Sequence, residues 1–423
     1  MRSWPAAVAL SAALLPAAVG AQTPAPPAPA SASAFTTRAS LKSSVLLSRA
    51  PDAPALFPDR YAATNFWRGR IEPVWRPNAR WSVAGAYEQR LRLFSSSSMS
   101  AVAIGGDALP SAVTAPYRLT PLDWEIASSS HSTWYHEIDR AAVQLRLPAA
   151  EITAGRQAVG WGRGVLFSAV DVFLPFSPLD PDREWRRGID ALRADVRLSR
   201  RASVEVVGAF GEAADESVYG ARLRGYTERA DAEFTAGWRA GDRFAGLSSS
   251  FALGGAEWHG EAAVFDTPAV AGSAFFGAPR TIVKTVFGGS CRFPLGTGLF
   301  VESEYHYSGF GAADASQTLA LLSDPEFVKR YVRADTQMLG RHALAVTASY
   351  EWSPLMAGGL MWLQDPTEGS GLAQPSLTIT PGDRWSLFVC AYLPYSRAAG
   401  SPLPHSQFGL TPTSLFAQLR IYR

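Results

Sequence analysis

Cysteine is nearly missing from this chain, with only Cys291 and Cys390 in 423 residues. A disulfide framework is thereby excluded, and both thiols are expected to be free. Long apolar runs are missing too. Beyond the first 21 residues nothing approaches the roughly 18 uncharged apolar residues that a membrane-spanning helix needs. Charge of one sign is not in excess: 39 basic residues meet 37 acidic ones for a net +2, which gives no footing for a nucleic-acid partner. Helical periodicity is scarce. The six histidines, His131, His136, His259, His306, His342 and His405, never fall into a metal-binding spacing such as HExxH, so no metal and no cofactor is expected.

What is present begins with a leader. Arg2, an apolar run over 6–19 and the small residues Val19-Gly20-Ala21 form the charge, core and cleavage-site pattern of a secretory signal peptide, residues 1–21. Residues 22–36 are rich in Pro and Ala and have no means of burying a core, so they are expected to be a disordered leader. From residue 37 to 423 the chain is expected to be one body without internal repeats longer than a hairpin.

Over that body polar and apolar residues alternate with period two in segments of about ten residues, the pattern of β-strands. Between 80 and 94 one face carries Trp81, Val83, Tyr87, Leu91 and Leu93, and the other Ser82, Glu88, Arg90 and Arg92. The split recurs where Trp258, Ala262 and Val264 alternate with Glu257, His259 and Glu261, and where Leu299, Val301, Tyr305 and Tyr307 alternate with Glu302, Glu304 and His306. A soluble sandwich would alternate in the same way. Connection length separates the two folds. Tight turns at 76–79, 148–150, 200–202, 253–255, 294–297, 353–355 and 381–383 alternate with long connections at 95–131, 162–187, 267–280, 309–341, 365–371 and 395–412. That asymmetry, broken only by a somewhat long turn at 225–229 and a very short loop at 241–242, suits strands running up and down a membrane wall. Counting the first strand at 41–48 and the last at 414–422 gives about 18 strands (16–18), an even number that places both termini on the turn side. The fold class is all-β, a transmembrane antiparallel up-and-down β-barrel. Trp67, Trp75, Trp81, Tyr305, Tyr307, Trp352, Trp362 and Trp385, near strand ends, are expected on the outer surface at the membrane interfaces.

The leader, the alternating hairpins, the turn and loop asymmetry and the terminal strand SLFAQLRIYR together resemble Gram-negative outer-membrane β-barrels, the porins and their relatives. Gly155-Arg156-Gln157 with Trp161-Gly162 and the acidic loop that follows also resemble a segment of poorly characterised porin-like families. The resemblance implies an outer-membrane location, contact with outer-membrane lipid and with the barrel assembly machinery, and passage of small polar solutes. The chain departs from it by ending in Arg423 rather than in an aromatic residue. Oligomeric state is left open.

The third long connection, 162–187, is stiffened by Pro175, Pro178 and Pro181 and carries Asp171, Asp180, Asp182 and Glu184. It either packs as an Ω-loop on its own Phe167, Phe173, Phe176 and Trp185, or it enters the barrel. In general porins the third outer loop is similar in folding inward. The candidate pore constriction therefore sets Asp171, Asp180, Asp182 and Glu184 against the inward arginines Arg68, Arg90, Arg92, Arg140 and Arg193, where charge in a low-dielectric gap would select permeants. Those arginines could instead satisfy wall acids such as Glu72, Glu88, Asp195 and Glu205. Arg156 falls on the lipid-facing phase, which a bulge at Gly155 would correct. Asp180-Pro181-Asp182 lacks the glycine and distal Glu of a calcium loop. Glu257-His259-Glu261 and Glu302-Glu304-His306 could meet across strands as metal ligands only by chance alternation. No Ser and His with an orienting partner stand out for hydrolysis, so no enzyme is expected. The expected function is an outer-membrane channel for passive diffusion. The alternative is a plugged or structural barrel whose surface loops bind a ligand or partner.

Overall fold

Alternation closes a sheet into a cylinder when every strand buries one face inside and offers the other to lipid, and this chain does so. A computed structural model describes residues 34–95, 116–396 and 406–423; the signal peptide and all but the end of the expected leader lie outside the described residues. Nineteen strands follow one another: β1 (Ala34–Arg49), β2 (Tyr61–Arg76), β3 (Trp81–Phe94), β4 (Asp123–Ser128), β5 (Ser132–Arg146), β6 (Ala150–Gln157), β7 (Ile189–Arg197), β8 (Ala202–Ala209), β9 (Val218–Tyr226), β10 (Ala230–Arg239), β11 (Asp242–Leu253), β12 (Ala256–Thr267), β13 (Arg280–Phe293), β14 (Leu299–Ser308), β15 (His342–Ser353), β16 (Met356–Asp365), β17 (Ser370–Gly382), β18 (Trp385–Ser396) and β19 (Thr413–Tyr422). Each wall strand pairs antiparallel with its neighbours, and β1 pairs with both β2 and β19, which closes the ring. Closure removes the exposed edges that an open sheet would leave.

Eighteen of these strands make the wall. The remaining one, β4, pairs with β5 along 123–128 while β6 pairs with β5 along 151–156, so β4 continues the edge of β5 beyond the point where β6 ends. Ala34 lies opposite Arg76 and Tyr422 opposite Ser40, which puts both described ends at the tight-turn rim. The first strand starts earlier than expected, at Ala34, because Ala34 to Thr36 extend the ladder with β2; the last three residues assigned to the leader are strand. The 309–341 connection also holds two short helices, α1 (Thr318–Leu322) and α2 (Pro325–Val332), that period-two reading passes over. Asp324 caps α2, accepting from the Glu326 and Phe327 N–H groups at 2.9 and 3.3 Å, and Pro325 follows in the first turn where its missing N–H costs nothing.

Outward positions are apolar and exposed. Trp67, Trp75, Trp81, Tyr305, Trp352 and Trp385 are among them, and Tyr307 and Trp362 share the outward phase at intermediate exposure. Inward positions differ between the two ends. Towards the turn rim they are polar, but towards the loop rim Phe244, Phe265, Ile282, Ala343, Leu363 and Phe416 point in and pack with the loops into one apolar cluster. Both cysteines are free, Cys291 on β13 and Cys390 on β18.

Arg156 shows how the wall survives the departure of β6. The expected bulge at Gly155 is absent from the β5–β6 ladder, which holds register through Ala142↔Gly155 and Ala141↔Arg156. Gly155 instead adopts φ 112°, a conformation that disfavours any side chain. Arg156 is 2% exposed because the segment before β4 covers it. Its guanidinium donates to Asp190 of β7 at 2.8 and 2.9 Å, to the Ile138 carbonyl of β5 at 3.2 Å and to the Thr120 carbonyl at 2.6 Å, joining three segments. Arg156→Met strands the Asp190 carboxylate and two carbonyls, so a loss of about 3–5 kcal/mol is expected. The urea midpoint of the folded barrel checks it, and an unchanged midpoint would mean that the seam is held by the backbone alone.

Candidate functional site

Loop 158–188 joins β6 to β7 and goes inside. Proline removes N–H donors and fixes φ, so Pro175, Pro178 and Pro181 keep the segment out of the sheet while leaving it stiff. Its contacts follow the wall strands in order. Trp161 donates from Nε1 to Glu205 of β8 at 3.1 Å and meets Phe173 edge to face at 4.9 Å. Arg163 reaches Glu233 of β10 at 2.9 Å. Residues 163–170 lie against β12 and β14, the Leu179 carbonyl accepts from Tyr392 of β18 at 3.0 Å, and Glu184 accepts from Tyr422 of β19 at 2.7 Å. Trp185 lies under Lys42 of β1, 3.7 Å from its Nζ, and under Arg68 and Arg70 of β2 at 5.1 and 5.0 Å. Finally, Gly188 N–H donates to Asp139 of β5 at 2.8 Å. The loop thus runs round the inner wall rather than straight across it. Two glycines make the approach possible: a Cβ at Gly220 would stand 2.7 Å from Trp161, and one at Gly246 would stand 2.8 Å from Val170.

The far side of the circuit is held by two wall carboxylates. Glu304 accepts from the backbone N–H of Val165 at 2.5 Å, Leu166 at 2.9 Å and Phe167 at 3.0 Å. Glu261 accepts from the N–H of Arg163, and from those of Gly164 at 2.7 Å, Ala169 at 2.6 Å and Val170 at 3.2 Å, with the Ser168 hydroxyl adding 2.9 Å. Ser168 N–H donates to Gln337 of the 309–341 segment at 2.7 Å. Every backbone donor from 163 to 170 therefore meets a side chain from elsewhere. Sequence reasoning placed Glu261 and Glu304 on the inner face without seeing them as anchors, because a carboxylate cradled by main-chain N–H groups leaves no signal in the side chains it binds.

The residues expected at the constriction divide in two. Among the loop acids, Asp182 is paired with Lys42 at 2.6 Å and Glu184 with the same lysine at 2.7 Å, so both face a cation on the wall. Asp171 instead pairs within the loop, with Arg186 at 2.5 Å, and Asp180 accepts from the Ser177 N–H at 2.9 Å. Lys42 was not among the expected site residues; a lone lysine in the segment 41–48, otherwise made of Ser, Leu and Val, gave no cluster to notice. The arginines chiefly serve the wall. Glu88, fully buried, accepts from Arg68 at 2.8 Å, from Arg90 at 2.7 Å and from Arg70. Asp139 pairs with Arg70 at 2.8 Å and Arg140 at 2.6 Å, and Glu137 with Arg118 at 2.5 Å and Arg90 at 3.3 Å. Arg193 meets Glu205 at 2.5 Å, and Arg92 stands beside Phe94 at 5.2 Å. Wall and loop still touch: Arg140 donates to the Arg186 carbonyl, and Arg187 lies 3.8 Å from Glu137.

Burial pushes the Asp182 carboxyl up, but Lys42, Arg420 and Arg68 outweigh it and hold the group well below the usual carboxylate range. A depressed folded value contributes stability above the unfolded value of about 3.9 and loses it as pH falls towards the folded one. The return arm of the loop is therefore expected to stay seated from neutral pH down to about pH 4 and to loosen only below it. Trp185 emission, read as the difference between the native chain and Trp185→Phe, checks this; a transition already between about pH 5 and 6 would assign the anchoring to another group.

His259 Nε2 lies 2.7 Å from Glu304, an ion pair or hydrogen bond that leaves no ligand set around it. Among the described residues no three His, Cys, Asp or Glu side chains gather as a metal site. Among the described residues no helix is long and apolar enough to cross a membrane.

No protein-family model matches the chain, and no curated protein matches it. Solved structures do match. OccAB4 of Acinetobacter baumannii aligns over 93% of this chain and 98% of its own at 10% identity, TM-score 0.53. OccK7 (OpdD) of Pseudomonas aeruginosa aligns over 92% and 98% at 8% identity, TM-score 0.52. OccAB1 of Acinetobacter baumannii aligns over 92% and 96% at 8% identity, TM-score 0.51. At these identities the likeness is one of fold: a closed, porin-like 18-strand barrel of the outer-membrane type.

Proposed function

We propose that the chain is a channel in the outer membrane of a Gram-negative cell, passing small polar solutes by diffusion through a lumen that loop 158–188 narrows against an arginine-rich wall. The observation that carries this reading is the circuit of the loop, which follows the inner wall from β8 round to β5 and is fixed to it at several stations. A segment so held shapes an aperture without needing to move. Partly exposed charges of both signs remain along the lumen, Arg163, Glu184, Arg193 and Asp195 among them. They supply the polar lining that a hydrated permeant needs. In this reading Lys42, Asp182 and Glu184 adjoin Arg68 on one stretch of the constriction, which Arg90, Arg92, Arg140 and Arg193 continue along the wall, with Asp171 and Asp180 shaping the loop from within. Outer-membrane lipid covers the exterior, and the barrel assembly machinery inserts the chain.

The apolar cluster at the loop rim, which includes Phe173, Phe310 and Phe327, favours a second reading in which the lumen is closed and the outer loops bind a partner. Ion conductance of the purified barrel in a planar bilayer separates the two. Stepwise, ohmic current is expected of the channel, and a folded barrel that inserts without current would establish the plugged form.

A further inference from the structure

On the loop-side part of β13 and β14 lies a patch that permeation does not use. Lys284, His306 and Ser308 are each 0% exposed. Lys284 stands directly opposite Ser308 across the β13–β14 ladder, and His306 is the next inward residue along β14. Lys284 Nζ, both ring nitrogens of His306 and Ser308 Oγ have no hydrogen-bond partner. Phe167 of the inward loop roofs the patch, stacked on the His306 ring at 4.8 Å, and Phe265 of β12 lies 5.8 Å from Lys284 Nζ.

Asp335, Glu261 and Asp171 are carboxylates within electrostatic range of Lys284, and all three are committed elsewhere. Asp335 pairs with Arg239 at 2.8 Å and Arg333 at 2.6 Å, Asp171 with Arg186, and Glu261 with the loop backbone. Arg239, also within range of Lys284, has its own Nη1 without a partner. An ammonium, a hydroxyl and an imidazole therefore lie side by side, bonded neither to one another nor to any other protein group. Buried donors are satisfied almost without exception, and a buried ammonium needs a counter-charge as well as an acceptor. Water supplies the acceptor but not the charge. Full burial of all three side chains beneath Phe167 fits a small anion better than an organic acid.

We propose that Lys284, Ser308 and His306 hold one small inorganic anion, of chloride size, occluded between the barrel wall and the inward loop. The anion neutralises Lys284 beneath Phe167, so its occupancy is linked to the seating of residues 163–170.

Two measurements test this. Native protein crystallised in sodium bromide is expected to show an anomalous peak within hydrogen-bonding reach of Lys284 Nζ. Unfolding in urea is expected to be about tenfold slower in sodium chloride than in sodium gluconate of equal ionic strength, as for a ligand present at roughly ten times its dissociation constant. That ratio is expected to fall to about one in Lys284→Met and to an intermediate value in Ser308→Ala, since the site then lacks its charge or one donor. If Lys284→Met does not fold, Ser308→Ala and the bromide peak still decide. A bromide peak with the same chloride-to-gluconate ratio in native and Ser308→Ala protein would mean an adventitious ion only. No peak and equal rates in both salts would assign the patch to ordered water; either result overturns the proposal.

Discussion

Replacing Glu261 and Glu304 together by alanine is expected to widen the lumen, raising single-channel conductance about two- to fivefold and exposing 163–170 to proteolysis from the loop side. The argument is one of accounting for donors. Seven backbone N–H groups and the Ser168 hydroxyl are held by these two carboxylates. Hydrogen bonds to a charged acceptor contribute about 1.5–3 kcal/mol each, and a buried N–H left without an acceptor is a cost of similar size. Even heavily discounted for non-additivity, their joint loss exceeds what the apolar contacts of Phe167 and Val170 return, so water is the cheaper partner and the segment leaves the wall. The barrel should survive, because neither carboxylate belongs to the ladder that closes it. A single replacement is expected to do much less, since Glu261 and Glu304 hold overlapping stretches of one short segment and either alone limits its travel. Unchanged conductance and protease resistance in the double variant would mean that the loop is held by its other stations, Trp161, Arg163, Leu179, Asp182 and Gly188 among them.

The sequence exposed the wall more readily than what the wall encloses, for a physical reason. Strand periodicity, turn length and the outward tryptophans are written locally, so the 18-strand ring, the rim that carries the termini and the interface aromatics follow from short windows. Phe244, Phe265 and Ile282 sit on inward positions and could have been read as the bed of an inserted loop, but an apolar residue at an inward position near a rim is ambiguous until the loop is known to enter. The site is harder still. Lys42 meets Asp182 across 140 positions, and Glu304 meets Leu166 across 138, through main-chain N–H groups that every residue has. Arg156 cannot be placed from its own strand, because the segment covering it belongs to a connection more than 30 residues earlier. Distances of that kind are set by the closure of the barrel and leave no spacing rule in the chain.

Arg90→Gln with Arg92→Gln is expected to move ion selectivity towards cations, and the local charges give the size and sign. Around Glu88, Glu137 and Asp139 on β2, β3, β5 and the adjoining 116–120 segment, away from Arg76 and Arg146 at the turn ends of β2 and β5, the arginines Arg68, Arg70, Arg90, Arg92, Arg118 and Arg140 stand with Glu72, Glu88, Glu137 and Asp139. Six positive charges against four negative leave an excess of two, the basis for a modest preference for anions. The double replacement leaves four against four. Folding should not suffer greatly, because Glu88 keeps Arg68 and Arg70, and Glu137 keeps Arg118. Removing Arg68 and Arg70 instead would neutralise as much charge but disturb the centre of that network, so the outer pair is the cleaner probe. In a bilayer with a salt gradient the reversal potential is expected to shift in the cation direction at about 0.1 M, where charges act over about 10 Å, and the shift should nearly vanish at about 1 M, where that reach falls to about 3 Å. A shift that persists at high salt would point to a changed aperture rather than a changed field. A reversal potential identical to that of the native barrel at low salt would show that permeant ions do not pass within reach of this wall, and the arginines would then be counter-ions of buried acids and nothing more.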